Sequence, residues 1–386
     1  MKTKELDAQY IAPTYQRFPV EIVSGQGSLL WDEQGNEYID MGSGIAVNLL
    51  GTSDPGWVAA VSEQLKKVQH TSNLFYSAPQ VRLAEQLCLR TGMKKVFFAN
   101  SGAEANECAI KAARKYAAEK KGPQYHTIIT LRNSFHGRTI TTLAATGQGA
   151  FHQDFLPLTE GFVYAEANHL EDVERLVRCE KVAAIMFEPV QGEGGVLPLT
   201  PEFCNGLQEI AKREDILLIA DEVQTGNGRT GRLYGYMHYN LQPDLVTTAK
   251  GLGGGLPIGV CMMGGKTQDV LTPGTHGSTF GGNPVSAAGA LYILSRLDEA
   301  MLASVREKSA YLFGAFTGAP GILRVSGMGL MIGLQTARPA GEVIERCRAH
   351  GVLALRAKDK VRLLPPLNIS FDLLQKAAGI IQDAAR

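Results

Sequence analysis

Between about residues 55 and 290, short aliphatic runs alternate with stretches of helical periodicity, and that alternation admits few folds. Strand-like runs occur at 95–99 (KVFFA), 126–131 (HTIITL), 182–187 (VAAIMF), 216–220 (ILLIA) and 245–248 (LVTT). Between them, residues 104–121 and 201–213 space apolar side chains three and four apart, the period of a helix with one buried face. Strands apolar throughout are buried on both sides, so the pattern predicts an α/β protein: a mostly parallel central sheet flanked by helices. Ligands of such sheets gather at the carboxyl ends of the strands. Functional residues are therefore expected just after each run.

The C-terminal hundred residues read differently. A helical pattern from 284 to about 316 leads into 323–334, which alternates like a meander strand, and another strand is expected at 360–364 before Pro365-Pro366. A chain of 386 residues has room for two domains. We expect a large domain over 51–285 and a small α+β domain over 286–386. An N-terminal segment, 1–50, is expected to join the small domain, with a hairpin at 25–40.

Thirty-eight basic and thirty-eight acidic side chains cancel, so no global field recruits nucleic acid or an anionic membrane. Apolar runs end at about six residues, against the roughly twenty a membrane helix needs. The six cysteines are scattered without close pairs, which fits neither a zinc site nor a disulfide framework and points to a reducing compartment. The opening residues lack the apolar core of a signal peptide. A cytoplasmic location is expected, with no metal, nucleic-acid or membrane partner.

The residues just past each run are chemically unusual. After 95–99 comes Asn100-Ser-Gly-Ala-Glu-Ala-Asn, where Ser101 and Glu104 have the spacing of a capping box and Gly102 lets a ligand approach free N–H groups. After 126–131 comes Phe135-His-Gly-Arg-Thr, with a ring for stacking and a guanidinium, Arg138, able to clamp a carboxylate. Glu188 ends the next run and Asp221 the one after it; Lys250 stands two residues past the last, before Gly251-Leu-Gly-Gly-Gly255. Taken singly, each reads as a helix cap, an exposed turn or half of a structural ion pair. A carboxylate at the edge of a core costs several kcal/mol without a cationic partner, so two strand-end acids and a lysine together call for a shared ligand.

One ligand accounts for the set: pyridoxal 5′-phosphate (PLP). Its phosphate suits the helix terminus, its ring an apolar sandwich, its pyridine nitrogen a buried carboxylate and its aldehyde a lysine amine. Competing motifs are missing: the chain has no G-x-x-x-x-G-K-[ST], H-E-x-x-H or G-x-S-x-G. Gly327-Met-Gly-Leu-Met-Ile-Gly333 misses the dinucleotide spacing by one residue.

The ordered set Asn100-Ser-Gly-Ala-Glu-Ala-Asn, Phe135-His-Gly-Arg-Thr, Glu188-Pro-Val-Gln-Gly-Glu-Gly-Gly, Asp221-Glu-Val-Gln-Thr-Gly and Lys250-Gly-Leu-Gly-Gly-Gly-Leu-Pro-Ile-Gly resembles the class III (ω) aminotransferases. These are PLP-dependent transferases of fold type I, the aspartate aminotransferase-like fold. His276-Gly-Ser-Thr-Phe-Gly-Gly-Asn-Pro284 fits too, and the resemblance covers nearly the whole chain. Gly44-Ile-Ala-Val-Asn48, the compact length and Arg362-Leu-Leu-Pro-Pro-Leu are most similar to the branch acting on N-acetylornithine and 2-oxoglutarate in arginine biosynthesis.

The resemblance implies that Lys250 condenses with the cofactor aldehyde and later moves the substrate proton. It implies that Asp221 pairs with the pyridine nitrogen, that Val223 and Phe135 pack on the ring faces, and that Gln224 reaches the phenolic oxygen. Ser101, Gly102 and Ala103 would hold the phosphate, and Thr279 the phosphate of the neighbouring subunit in a homodimer. Arg138 and Arg362 would bind substrate carboxylates, with Glu188 as a gate that pairs with an arginine while the ω-amino donor is bound. Tyr15, Asn48 and Ser278 complete the expected substrate pocket.

Two stretches depart from the family. Gly51-Thr-Ser-Asp-Pro55 lacks the histidines relatives carry there, and Arg356-Ala-Lys-Asp-Lys360 replaces an apolar, glycine-rich approach to Arg362 and reads as a basic surface loop. Ornithine, succinyl-diaminopimelate or 4-aminobutyrate remain alternative donors, and a glutamate-semialdehyde aminomutase an alternative activity that needs no external acceptor. A non-catalytic cofactor-binding protein would be expected to lose Lys250 or Asp221, and both are present.

Overall fold

The computed structural model describes residues 3–386. At its centre is a seven-stranded sheet. In chain order its strands are β1 (Lys95–Ala99), β2 (Thr127–Leu131), β3 (Phe162–Ala165), β4 (Val182–Phe187), β5 (Leu217–Asp221), β6 (Leu245–Thr248) and β7 (Gly259–Met263). Across the sheet they run β1-β7-β6-β5-β4-β2-β3. β7 is antiparallel to β1 and β6, and every other pair is parallel.

The five aliphatic runs all form strands. β2, β4, β5 and β6 are buried from end to end, which is why they read as unbroken apolar runs. β3 and β7 are strands that the periodicity does not announce. β3 is a half-buried edge, and β7 opens on a glycine just behind the glycine-rich stretch.

Two helices show how the sheet is covered. The helix α1 (Gly102–Lys121) follows β1, and α2 (Pro201–Arg213) lies on the other face. Strand side chains alternate between faces. Leu217 and Ile219 join the core under α1, whereas Leu218 and Ala220 join the one under α2. The same alternation sends Asp221 towards α1 and Glu222 to the opposite side. Thus the two acids ending β5 serve different places.

The helical pattern over 284–316 proves to be two helices, α3 (Pro284–Arg296) and α4 (Glu299–Phe316). The break is built locally. Asp298 accepts a hydrogen bond from Met301 N at 2.8 Å, capping α4, while Arg90 closes α3 by donating to the carbonyls of Leu294 and Leu297. The stretch at 323–334 is a hairpin, Ile322–Met328 with Met331–Thr336, turning through Gly329. Gly329 has φ +60°, and a Cβ there would lie 2.5 Å from the Arg229 carbonyl oxygen.

The hairpin expected at 25–40 is a three-stranded meander, Ile22–Gln26, Leu29–Asp32 and Glu37–Asp40. Val352–Leu353, from the C-terminal part of the chain, adds to it in parallel beside Ile39 and Asp40. The segment 356–360 is at the surface, as its charge suggests, with Arg356, Lys358 and Asp359 exposed, but it is ordered into secondary structure. It is the turn of a hairpin, Leu355–Ala357 with Lys360–Leu363, and Lys360 is buried with Nζ 2.9 Å from Ser326 Oγ. At the other departure, Asp54 caps the helix Pro55–Leu65, so those residues are structural. Among the described residues no helix is long and apolar enough to cross a membrane.

Replacing Asp298 with alanine removes only the α4 cap. The expected cost is about 1 kcal/mol, read as a lowered thermal midpoint with substrate affinities unchanged.

Candidate active site

The carboxylate of Asp221 is 3% exposed and held from three sides. Oδ2 accepts from Asn106 Nδ2 at 2.8 Å and lies 2.7 Å from His136 Nδ1, while Oδ1 accepts from Val223 N at 3.0 Å. Asn106, in the second turn of α1, also donates to the His136 carbonyl and accepts from Thr247 Oγ1. An ionised carboxylate only accepts, so His136 carries its proton on Nδ1; Nε2 is buried without a partner. Asn106 and His136 are thus functional neighbours of Asp221 that residue type alone does not single out. Their only signal in the sequence is their place inside the motifs around Ser101 and Phe135.

Lys250 approaches from the end of β6. Its backbone has φ +42°, a strained value for a side-chain-bearing residue, at the sharp reversal before the glycine run. Its amine makes no hydrogen bond or ion pair among the described residues. Burial draws its pKa below the ordinary lysine value; the negative charges of Asp221, Glu193 and Glu188 oppose that fall. A lowered pKa favours the neutral, nucleophilic amine.

These groups share one cavity of about 430 Å³ with Ser101, Gly102, Ala103 and Phe135. Arg138, Glu188, Val223 and Gln224 also line it. A larger cleft of about 690 Å³ opens near Tyr76 and Tyr292, but its lining offers two cations, Lys67 and Arg82, and no carboxylate. Ser101 caps α1 by accepting from Glu104 N, which leaves the first-turn amides of Gly102 and Ala103 facing the cavity. A Cβ at Gly102 would meet Val223 Cγ1 at 2.6 Å, so only glycine lets the Val223 side chain lie against the helix terminus.

Phe135 meets Phe151 edge to face, and the Arg138 guanidinium sits 4.2 Å from the Phe151 ring centre and 5.4 Å from that of Phe135. That stacking orients an otherwise exposed fork at the cavity mouth. PLP fits this donor set: anion-seeking amides, a buried acid, a free amine and apolar side chains stand around one cavity of suitable size.

The acids divide in an unexpected way. Glu188 accepts from the backbone of Phe135 (2.9 Å) and Gly192 (3.4 Å) and forms no ion pair with an arginine among the described residues. Burial raises its pKa well above the ordinary carboxylate value, and the Asp221 charge adds to the rise. The acid paired with Arg362 is Glu193, at 2.5 Å, brought back by the short hairpin Val190–Gln191 with Leu197–Pro198. Gln224 bridges the pair, donating to Glu193 and accepting from Arg362, each at 3.2 Å. Burial pushes the Glu193 pKa up, but the charge and hydrogen bond of Arg362, with that of Gln224, outweigh it and leave it below the ordinary value.

The remaining expected residues lie outside the cavity. Thr279 is exposed, and Ser278 accepts from Asn100 Nδ2, one residue before Ser101. Asn48 lines a separate cleft with Trp57, and Tyr15 is 73% exposed. Glu222 faces away: fully buried, it accepts from Thr225 Oγ1 and the amides of Gly235 and Tyr236, fastening the loop behind β5. Burial raises its pKa from 4.5 to about 7.

The family model described as "Aminotransferase class-III" matches residues 10–385. An acetylornithine aminotransferase of Haemophilus ducreyi is 50% identical over 98% of this chain and 97% of its own. A succinylornithine transaminase of Salmonella paratyphi A is 44% identical over 95% of this chain and 92% of its own. Among solved structures, the N-acetylornithine aminotransferase of Stenotrophomonas maltophilia superposes with a TM-score of 0.86 at 37% identity, covering 98% of this chain and 97% of that one. An ornithine aminotransferase of Toxoplasma gondii, with PLP at partial occupancy in its active site, gives 0.94 at 32% identity over 99% and 93%.

Between pH 4.5 and about 7 the folded chain keeps a proton on Glu222 that the unfolded chain releases. Its contribution to stability is therefore complete below 4.5 and lost as pH rises through about 7. Relative to Glu222→Gln, the wild type should lose on the order of 3 kcal/mol across that window. Urea titrations of both proteins at several pH values measure the gap; a pH-independent gap contradicts the assignment.

Proposed function

The chain belongs to the class III aminotransferases and uses pyridoxal phosphate, and we propose that it moves the terminal amino group of N-acetylornithine to 2-oxoglutarate, a step of arginine biosynthesis. The observation that carries the choice of donor is the 50% identity, along almost the full length of both chains, to an acetylornithine aminotransferase. Similarity to a succinylornithine transaminase supports a second reading, in which the pocket takes a longer N-acyl group.

When bound, pyridoxal phosphate takes up the donor's amino group, stores it and stabilises the electron pair left on the reacting carbon. The rest falls to this chain's residues. Lys250, free in the cavity and with its pKa drawn down, is read as the amine that condenses with the aldehyde and moves the proton at the reacting carbon. Asp221, fixed by Asn106 and His136, would keep the pyridine nitrogen protonated. Phe135 and Val223 would hold the ring, Gln224 the phenolic oxygen, and the helix terminus at Ser101, Gly102 and Ala103 the phosphate.

Arg138 is read as the clamp for the α-carboxylate common to donor and acceptor. Arg362, neutralised by Glu193, suits a donor whose far end is uncharged. Released from Glu193, it would receive the second carboxylate of 2-oxoglutarate. In this reading the gate is Glu193, with Glu188 kept to shaping the cavity wall. Thr279 and Ser278 are assigned to a homodimer contact that completes the partner's phosphate site, and Tyr15 and Asn48 to the substrate entrance. We assign residues 51–285 to the cofactor domain and 1–50 with 286–386 to the smaller one, in a cytoplasmic enzyme.

The test is an absorption titration of the purified holoenzyme with N-acetylornithine, N-succinylornithine, ornithine and 4-aminobutyrate. The visible cofactor band should bleach with N-acetylornithine and return with 2-oxoglutarate; response to another amine alone overturns the donor. Lys250→Ala should retain the cofactor but show no steady-state turnover. Asp221→Ala, which leaves Asn106 and His136 without their acceptor, should lower kcat by at least about a hundredfold, the scale of a lost preorganised charge contact.

A further inference from the structure

Lys358 stands in the short turn just before Arg362, and its geometry is specific. It occupies the turn of the C-terminal hairpin with φ +53°, a value that favours glycine, and Arg356 Nε donates to its carbonyl at 2.6 Å. Its ammonium reaches out of the small sheet to donate to Asn133 Oδ1, two residues before Phe135. A strained backbone at an unsupported turn would ordinarily be relieved by glycine or asparagine.

Asn133 belongs to a frame that supports the cavity. A Cβ on Gly194 would come within 2.6 Å of the Asn133 carbonyl oxygen, so the backbone beside Glu193 rests directly on Asn133. Gln191 Nε2 donates to the Arg132 carbonyl at 2.8 Å, and Phe135 N donates to Glu188. The loops bearing Phe135 and Glu193 are thereby fastened together. The C-terminal hairpin is tied to this frame by polar contacts at two points, Arg362 to Glu193 and Lys358 to Asn133.

We infer that Lys358 is a positioning residue for the dicarboxylate half-reaction, keeping the hairpin seated on the cavity frame once Arg362 has left Glu193. The inference rests on Glu193 acting as the gate and extends that reading. With an uncharged donor both ties are in place, and loss of Lys358 leaves the Arg362–Glu193 pair as the polar contact that aligns the hairpin on the frame. With 2-oxoglutarate the first tie is broken by the reaction's own demand, and the Lys358–Asn133 tie is the polar contact left to refine a seat otherwise made by the packing of Ala357 and Leu364 on Val190 and Val196.

The experiment compares the wild-type holoenzyme with Lys358→Gly and Lys358→Arg in each half-reaction separately, following cofactor absorbance. Glycine accepts the turn's φ without strain, so that variant removes the ammonium and leaves the fold supported. Lys358→Gly should raise KM for 2-oxoglutarate roughly three- to tenfold, the scale of one hydrogen bond. Its N-acetylornithine half-reaction should change less than about twofold, and Lys358→Arg should restore the acceptor KM. An equal effect on both half-reactions, or none on either, overturns the inference. A wild type that is inactive with 2-oxoglutarate overturns the gate reading and the inference together; an active wild type matched by Lys358→Gly overturns the inference alone.

Discussion

The buried carboxylate at the end of β5 is the constraint around which the cavity is arranged. A lone charge at that depth would be untenable, and removing the partners of such a charge costs roughly 3–5 kcal/mol. Asp221 is met by an amide from α1, an imidazole from the loop after β2 and its own neighbouring backbone. These contacts satisfy the acid and hold Asn106 and His136 in register with it. The helix terminus beside them is thereby locked to the strand that supplies the acid. A cation docking on Asp221 meets a site already organised to receive it.

The charges around Lys250 follow from that arrangement. Three acids stand near one amine, yet they are not equivalent. Glu188 is pushed towards its neutral form by burial and by Asp221, and Glu193 is held ionised by Arg362. Burial pulls the Lys250 amine towards neutrality while the surrounding acids resist. Environment alone thus separates these groups in character: Glu193 is drawn towards its charged form, and Glu188 and Lys250 towards their neutral ones.

The buried pairing of Arg362 with Glu193 is close, and Gln224 completes it, which offsets the desolvation of the two charges. It masks a buried guanidinium behind Gln224, which itself lines the cavity. On the function proposed, that concealment lets one cavity accept partners of different charge in turn. The hairpin carrying Arg362 comes from the far end of the chain, so alignment of its guanidinium depends on how the C-terminal sheet is seated on the central one.

Much of the fold was legible because burial on both faces writes an unbroken apolar run, as in VAAIMF and ILLIA. Edge strand β3 is only half buried, and β7, though buried throughout, opens on a glycine directly behind a glycine-rich stretch, so neither stood out. The split between α3 and α4 is a capping event that periodicity alone does not register. Lys250, Asp221 and the Ser101–Ala103 turn were legible from residue type and position after a strand. They line one cavity at the strand ends, and local sequence specifies strand ends. The partners were not legible. His136 and Asn106 meet Asp221 across 85 and 115 residues, and Glu193 meets Arg362 across 169. Between Glu188 and Glu193, two acids five residues apart, only the path of the intervening hairpin decides which one faces the arginine. The sequence thus determined five of the seven central strands, the residues that gather at their ends and the family; the tertiary structure decided the pairings, because long-range ion pairs are set by how the sheets pack and not by any local pattern.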